Sequence, residues 1–337
     1  MDSTAEEFVP NGYTCNFCDQ ATKSLEETHN LVMPKIKGKK YDCLIGLSGG
    51  VDSSYMLHKA VEMGLRPLCY TVDNGWNDPK ADENIMRLVE TLKVPFYRYT
   101  INVERFKELQ RAFIQAGQKN IEIPTDHILF ATTYEMADKY GIKWILSGGN
   151  ASTESIMPAS WGYNARDLVH IKDVYKKMTG KTLKGLPTLS LLKWNYYKWI
   201  KGIKMCYLLD HLDYHRQEAI NLLTQLYGYK DYGDKHSESF FTHWFQETYL
   251  RQKFGIDKRK AHLSSLIVSG QITREEALKQ MEFTGTRSSR LKVSDGFGLK
   301  EIAWGQLIDS PARDYREFKT DEKLFSFLSK IIKRCRF

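Results

Sequence analysis

From residue 41 onward the chain alternates short apolar runs with stretches of helical periodicity. Tyr41–Leu47, Arg66–Val72, Pro95–Ile101 and Lys143–Leu146 are the apolar runs. Continuous short runs of this kind are expected of parallel strands buried on both faces. Between them lie helical patterns. One begins after the Gly49-Gly50 pair, carries Leu57, Ala60 and Val61 on one face, and ends at Gly64. A second spans residues 80–93, with Ile85, Leu88, Val89 and Leu92 in register, and two more lie near 104–116 and 126–140. Strand and helix at this spacing predict an α/β unit: a Rossmann-like parallel sheet with helices on both faces. Right-handed crossovers bring the strand ends to one edge, and ligands of such sheets bind beyond that edge. The turns at Ser48, Asp73 and Gly148 all fall there.

Beyond about residue 186 the strand pattern fades, and the chain reads as mainly helical to Phe337. The expected organisation is an N-terminal segment 1–35, a nucleotide-binding domain 36–185 and a mainly helical region 186–337. The stretch Leu191–Leu209 mixes Trp194, Tyr197 and Trp199 with four lysines. It reads as a core helix with a basic outer face rather than a membrane-surface segment.

At 337 residues the chain is long enough for about two domains. No stretch approaches the ~20 apolar residues of a membrane span. The acidic opening Met1-Asp2-Ser3-Thr4-Ala5-Glu6-Glu7 is unlike a secretory signal, so a cytoplasmic protein is expected. A net charge of +8 admits nucleic acid, small anions such as nucleotides, or a plain basic surface. Cys43 and Cys69 lie in apolar runs and read as buried hydrophobes.

The turn Leu47-Ser48-Gly49-Gly50-Val51-Asp52-Ser53-Ser54 carries the clearest chemistry. A glycine-rich turn between strand and helix presents backbone N–H groups and the positive end of a helix, which together suit an anion. Ser48, Ser53 and Ser54 add hydroxyls. Asp52 would organise the loop or hold Mg²⁺. The G-x-x-x-x-G-K-[ST] loop is absent, since no Lys follows Gly50. The turn resembles instead the S-G-G-x-D-S loop of the PP-loop ATP pyrophosphatase superfamily, which breaks ATP between the α and β phosphates. That resemblance implies an adenine nucleotide alpha-hydrolase-like domain. In it Ser48, Gly49, Gly50, Asp52 and Ser53 hold the pyrophosphate, and Thr71, Val72 and Asp73 lie near the adenosine. Gly148, Gly149 and Asn150 close the pocket.

The second half narrows the choice. Tyr232-Gly233-Asp234-Lys235-His236-Ser237-Glu238-Ser239, then Lys253-Phe254-Gly255-Ile256-Asp257-Lys258-Arg259-Lys260-Ala261-His262, then Ser269-Gly270-Gln271-Ile272-Thr273 make a pattern. It is similar to the N-acetyl sugar amidotransferase family of bacterial lipopolysaccharide and O-antigen synthesis. The resemblance runs from about Cys15 to Glu282. It implies an ATP- and Mg²⁺-dependent enzyme that adenylylates a sugar acetamido group and lets ammonia displace AMP, giving an acetamidino sugar of a surface polysaccharide or nonulosonic acid. Such a step needs positioning and neutralised charge more than a side-chain nucleophile. By the same resemblance Asp52, Lys235 and His236 are catalytic, and Glu238, Lys258, Arg259 and His262 contact substrate or phosphate. Lys253 and Lys260 belong to the same cationic group, for which a solvated helix face is the plain alternative. No cysteine has the setting of a glutaminase nucleophile. A separate glutaminase with a cyclase-like subunit is the expected ammonia source.

Cys15-Asn16-Phe17-Cys18 has the spacing of half a tetrahedral zinc site. The family usually carries an earlier C-x-x-C. Zn²⁺ is expected in a longer form that contains that pair, and not in this chain. Two rivals remain open: a PP-loop tRNA-modifying enzyme of the thiolase or lysidine type, and a non-catalytic nucleotide sensor.

Overall fold

The apolar run after Tyr41 forms a strand, β1 (Cys43–Gly46), with every residue but the last buried. In the computed structural model, which describes residues 1–232, 238–282 and 288–327, it lies at the centre of a five-stranded parallel sheet. The other strands are β2 (Pro67–Asp73), β3 (Phe96–Thr100), β4 (Trp144–Ser147) and β5 (Lys204–Tyr207), in spatial order β3-β2-β1-β4-β5. Successive residues feed opposite faces. Leu44, Leu68, Tyr70, Val72 and Ile145 pack into one core, whereas Cys43, Ile45, Cys69 and Leu146 pack into the other. Both faces are covered by helices. Helices α1 (Val51–Glu62), α2 (Pro79–Leu92) and, later in the chain, Arg216–Tyr227 bury Met56, Leu57, Ile85, Leu88 and Leu223 on one side. On the other, α3 (Val103–Gln115), α4 (Ile123–Lys139) and α5 (Leu168–Thr179) bury Phe106, Phe113, Ile128, Tyr134 and Val174. This is the α/β architecture the sequence pattern predicts.

The chain builds β1 to β3 outward in one direction and then returns to place β4 on the other side of β1. The order reverses between β1 and β4, and a crevice opens at such a reversal. The loops after these two strands are the Ser48 turn and the Gly148 turn.

Strand β5 departs from expectation. It lies inside Leu191–Leu209, read as one core helix, and it extends the sheet beyond residue 185. The stretch forms two short helical segments, Leu191–Asn195 and Tyr196–Ile200, then turns at Gly202 (φ +66°) into β5, paired in parallel with β4. Its apolar side chains divide. Tyr197 is buried, whereas Leu192, Trp199 and Ile200 are exposed. A strand of four residues with lysine at its start carries little periodicity.

The helical C-terminal region begins by pairing with the sheet domain. Ser239 bridges Asn77, Asp78 N donates to Glu238 O (2.9 Å) and Phe240 N donates to Trp76 O (3.0 Å). A continuous helix follows, α6, made of Phe240–Trp244, a π-helical turn Phe245–Tyr249 and Leu250–Phe254; α7 is Arg259–Val268. Further helices cover Arg274–Glu282, Ser288–Gly296 and Glu301–Ile308. Aromatic rings join the two regions. Trp76 packs edge-on against Phe297 at 5.1 Å and tilted against Phe241 at 5.6 Å. Among the described residues no helix is long and apolar enough to cross a membrane.

Candidate active site

The turn after β1 is tight because Gly49 adopts φ +83°, and because a Cβ there would lie 2.6 Å from the carbonyl oxygen of Ala81. Hydrogen bonds tie it internally. Ser48 N and Gly50 O both bond the Ser53 hydroxyl, at 3.3 and 3.2 Å, and Gly50 N donates to Ser48 Oγ (3.2 Å). From outside, Asn84 Nδ2 and the Tyr232 hydroxyl both reach Gly49 O, at 3.5 and 3.3 Å. Gly50 is the N-cap of α1 and has no side-chain oxygen to bond the first turn. The positive end of the helix is thereby left to a ligand. Gly148 completes this surface. A Cβ at 148 would sit 3.2 Å from Ser53 N and cover that group.

These loops form one wall of a cavity of ≈ 660 Å³. Gly46, Ser48, Thr71, Val72 and Gly148 line it from the sheet edge. Glu122, Thr125 and Asp126 line it from the start of α4, and Glu238, Thr242, Lys258 and His262 from the C-terminal region. Of the residues expected to bind ATP, Ser48, Thr71, Val72 and Gly148 face this space. Gly49, Gly50 and Ser53 shape the turn behind it. Asp52 accepts a hydrogen bond from the Tyr214 hydroxyl, in the first turn of α1. Asp73 turns its carboxylate to Gly75 N (3.2 Å), and Asn150 is buried, bonding Thr153 N (2.9 Å) and Gly148 O (3.2 Å). Neither lines the cavity. They shape the strand-end turns.

The C-terminal candidates separate in the same way. Glu238, Lys258 and His262 line the cavity. Arg259 does not. Its guanidinium is held by Asp257 through Nε (3.0 Å) and Nη2 (2.8 Å), with Glu247 nearby. Lys253 donates to the carbonyls of Ile308 (2.8 Å) and Ser310 (2.6 Å), and Lys260 pairs with Asp2. Half of the Asp-Lys-Arg-Lys run is therefore interior scaffolding rather than a solvated face. Lys235 and His236 lie outside the described residues. Cys15 and Cys18 bring their sulfurs to 3.6 Å, and burial and the neighbouring Cys15 raise the Cys18 thiol. Among the described residues no group of three or more His, Cys, Asp or Glu side chains could hold a metal, so the pair alone does not make a zinc site.

Two acidic residues were missed. Glu122 and Asp126 stand one turn apart at the start of α4, both on the cavity, with Lys258 also on its wall. Burial first, then the charge of Asp126, pushes the Glu122 carboxyl up to about 8, although Thr242 Oγ1 bonds it at 3.0 Å. Asp126 is exposed where it lines the cavity, and the protein around that space raises its carboxyl. Lys258 is pulled down by burial, against the pull of both carboxylates. A shared site with one proton too few for two carboxylates is a common source of groups that exchange protons near neutrality. In sequence, Glu122-Ile123-Pro124-Thr125-Asp126 reads only as an acidic helix start.

The wall from Glu238 onward decides what the region is similar to. Residues 238–332 match the family described as LPS biosynthesis protein WbpG-like, C-terminal domain. That stretch is similar to a WbpG-like C-terminal domain. This agrees with the amidotransferase family that its sequence resembles. An uncharacterized protein of Methanocaldococcus jannaschii is 28% identical over 138 residues, which are 40% of this chain and 47% of that protein. The chain thus spans about half the length of this curated relative. Distant likenesses among solved structures include an NMN synthetase from Francisella tularensis (16% identity, 81% of this chain and 92% of that one, TM-score 0.34). A U34-tRNA thiolase from Methanococcus maripaludis with its [4Fe-4S] cluster is 11% identical over 80% of this chain and 82% of its own, with TM-score 0.39. An NH3-dependent NAD synthetase from Campylobacter jejuni is 16% identical over 68% and 94%, with TM-score 0.28.

Proposed function

We propose that this chain is an ATP-dependent amidotransferase of lipopolysaccharide synthesis. It adenylylates the acetamido group of an activated sugar and then lets ammonia replace AMP, leaving an acetamidino group. One observation carries the reading: the glycine turn after β1 and the WbpG-like domain face each other across a single cavity. The turn suits the pyrophosphate end of ATP, because it offers backbone donors and a helix N-terminus but no lysine for a γ-phosphate. The WbpG-like wall then supplies the groups that face the reacting carbonyl.

The residues fit a magnesium-bound nucleotide. A Cβ at Gly50 would lie 3.3 Å from Glu238 Oε1, so a carboxylate stands directly beside the phosphate cradle. Without a cation it would repel a polyphosphate. Glu238, with Asp52 at the start of α1, would hold Mg²⁺, which would supply charge neutralisation to the leaving pyrophosphate. Thr71 and Val72 would bound the adenosine side, at the end of β2. Lys258 places positive charge on the opposite wall, where negative charge develops on the α-phosphate. Asp126, on the cavity wall, would take the proton that ammonia must lose as it becomes the amidine nitrogen, while Glu122, pushed up to about 8, keeps its own proton near neutrality. The ammonia comes from a separate glutaminase with its cyclase-like partner.

ATP–pyrophosphate exchange tests the adenylylation half. Exchange is expected only with an acetamido sugar and Mg²⁺ present and without ammonia. Exchange that needs ammonia, or that proceeds without a sugar, would contradict it.

A further inference from the structure

A second cavity, of ≈ 890 Å³, adjoins the first and shares Asn120, Asp126, Met157 and Lys258 with it. Each cavity has the size of a site for one small ligand, and a reaction between a nucleotide and an acceptor needs two. The phosphate-cradle residues Ser48 and Gly148 line only the first. The second has different chemistry. Two of its cations are paired within the protein, Lys119 with Glu6 (3.7 Å) and Arg316 with Asp314 (2.9 Å), and Arg313 and the shared Lys258 line it as well. A second polyphosphate would have to displace those pairs. The lining also carries amides (Gln118, Asn164), a carboxylate (Glu322) and two tyrosine rings, Tyr163 and Tyr315, stacked at 4.0 Å. Paired donors and acceptors beside aromatic rings suit a polyhydroxylated ring.

We infer that the second cavity holds the glycosyl part of the acceptor, and that its acetamido group meets the nucleotide at the shared wall of Asp126 and Lys258. This rests on the amidotransferase reading. It adds a location for the sugar, in a space bounded by residues 157–164 and 312–316. It also explains why a carboxyl and an ammonium stand at the junction, since that is where an amide oxygen and a phosphate must approach each other.

The test uses Ala159→Trp and Ala312→Trp. Both alanines are exposed and line only the second cavity. Exchange of pyrophosphate into ATP is followed with a panel of UDP-linked, CMP-linked and free N-acetyl sugars. The probe that supports exchange in the unaltered chain is then titrated. With the fold checked by circular dichroism, each variant is expected to raise the KM for the sugar about tenfold or more and to leave the KM for ATP within about twofold. If one variant does not fold, the other decides. Exchange with an unchanged sugar KM overturns this inference and leaves the amidotransferase reading standing. A matching rise in the ATP KM also overturns it. No exchange with any sugar in the unaltered chain removes the amidotransferase reading and this inference with it.

Discussion

The hydroxyl of Tyr214 donates to the carboxylate of Asp52, joining the segment before helix Arg216–Tyr227 to the first turn of α1. Tyr214 is buried, and burial followed by the Asp52 charge raises its phenol well above the usual range, so it stays protonated as a donor. Asp52 is thereby oriented from outside its own loop. Tyr214→Phe keeps the ring and removes the bond. A hydrogen bond to a charged group is worth about 1.5–3 kcal/mol. Loss of that much orientation at the nucleotide lowers kcat/KM for ATP by roughly 10- to 100-fold. Exchange kinetics with ATP varied check this, and an unchanged kcat/KM would contradict it.

Gly49→Ala is expected to fail at the level of the loop. Its φ of +83° and the 2.6 Å approach to Ala81 O leave no room for a methyl group. Strain of this kind costs about 1–3 kcal/mol. A lower thermal midpoint together with weakened ATP binding by calorimetry is the expected result. Gly64→Ala is the control. It too has positive φ (+74°), but no atom lies within 4 Å of its Cβ, so it strains the backbone without moving the nucleotide loop.

The raised Glu122 carboxyl makes stability depend on pH with a definite sign. The folded state keeps a proton that the unfolded state releases between about 4.5 and about 8. Stability therefore falls as pH rises through that window. Asp126 adds the same sign, more weakly because it is exposed in the cavity. Lys258, pulled down, acts above its folded value, where the unfolded chain binds the extra proton and stability rises with pH. Glu122→Gln is expected to flatten the fall in thermal midpoint between pH 5 and pH 8, roughly the window of the Glu122 shift. An unaltered pH profile would contradict the burial of that carboxyl.

Lys258→Met removes the cation from a wall that two cavities share. Loss of one preorganised charge at a developing negative centre costs about 10²–10³-fold in rate. A reduced kcat for exchange with nearly unchanged ATP binding is expected, whereas Arg259→Met should mainly lower the thermal midpoint, because Arg259 serves Asp257. Equal kinetic losses in the two variants would contradict this division.

Much of the sheet domain was legible because each of its elements is a local pattern. Strand β2 and helices α1 to α4 fall within a few residues of their expected bounds, since buried parallel strands announce themselves by composition. Strand β5 was not legible. Its four residues earn their place only by pairing with β4, and nothing within the chain segment declares that partner. The site divides along the same line. The Ser48–Ser53 turn is readable because its geometry is set by adjacent glycines. Glu122 and Asp126 are not, because their meaning comes from Lys258, far away in sequence. Arg259 and Lys260 sit beside Lys258 but turn to Asp257 and Asp2. A run of like charges does not say which member faces a cavity.

The two thiols at Cys15 and Cys18 lead to a metal prediction. With only two sulfur donors together among the described residues, metal analysis of the purified chain is expected to find well under one zinc per chain. A stoichiometric content that resists chelators would contradict it.

The most direct measurement is identification of every product from one incubation of the chain with ATP, Mg²⁺, ammonium and an acetamido sugar that supports exchange. Phosphorus NMR and mass spectrometry of the same sample serve. The account predicts AMP and pyrophosphate in equal amounts, and a sugar in which NH has replaced the acetamido oxygen. ADP and phosphate, or AMP formed with the sugar unaltered, would contradict it.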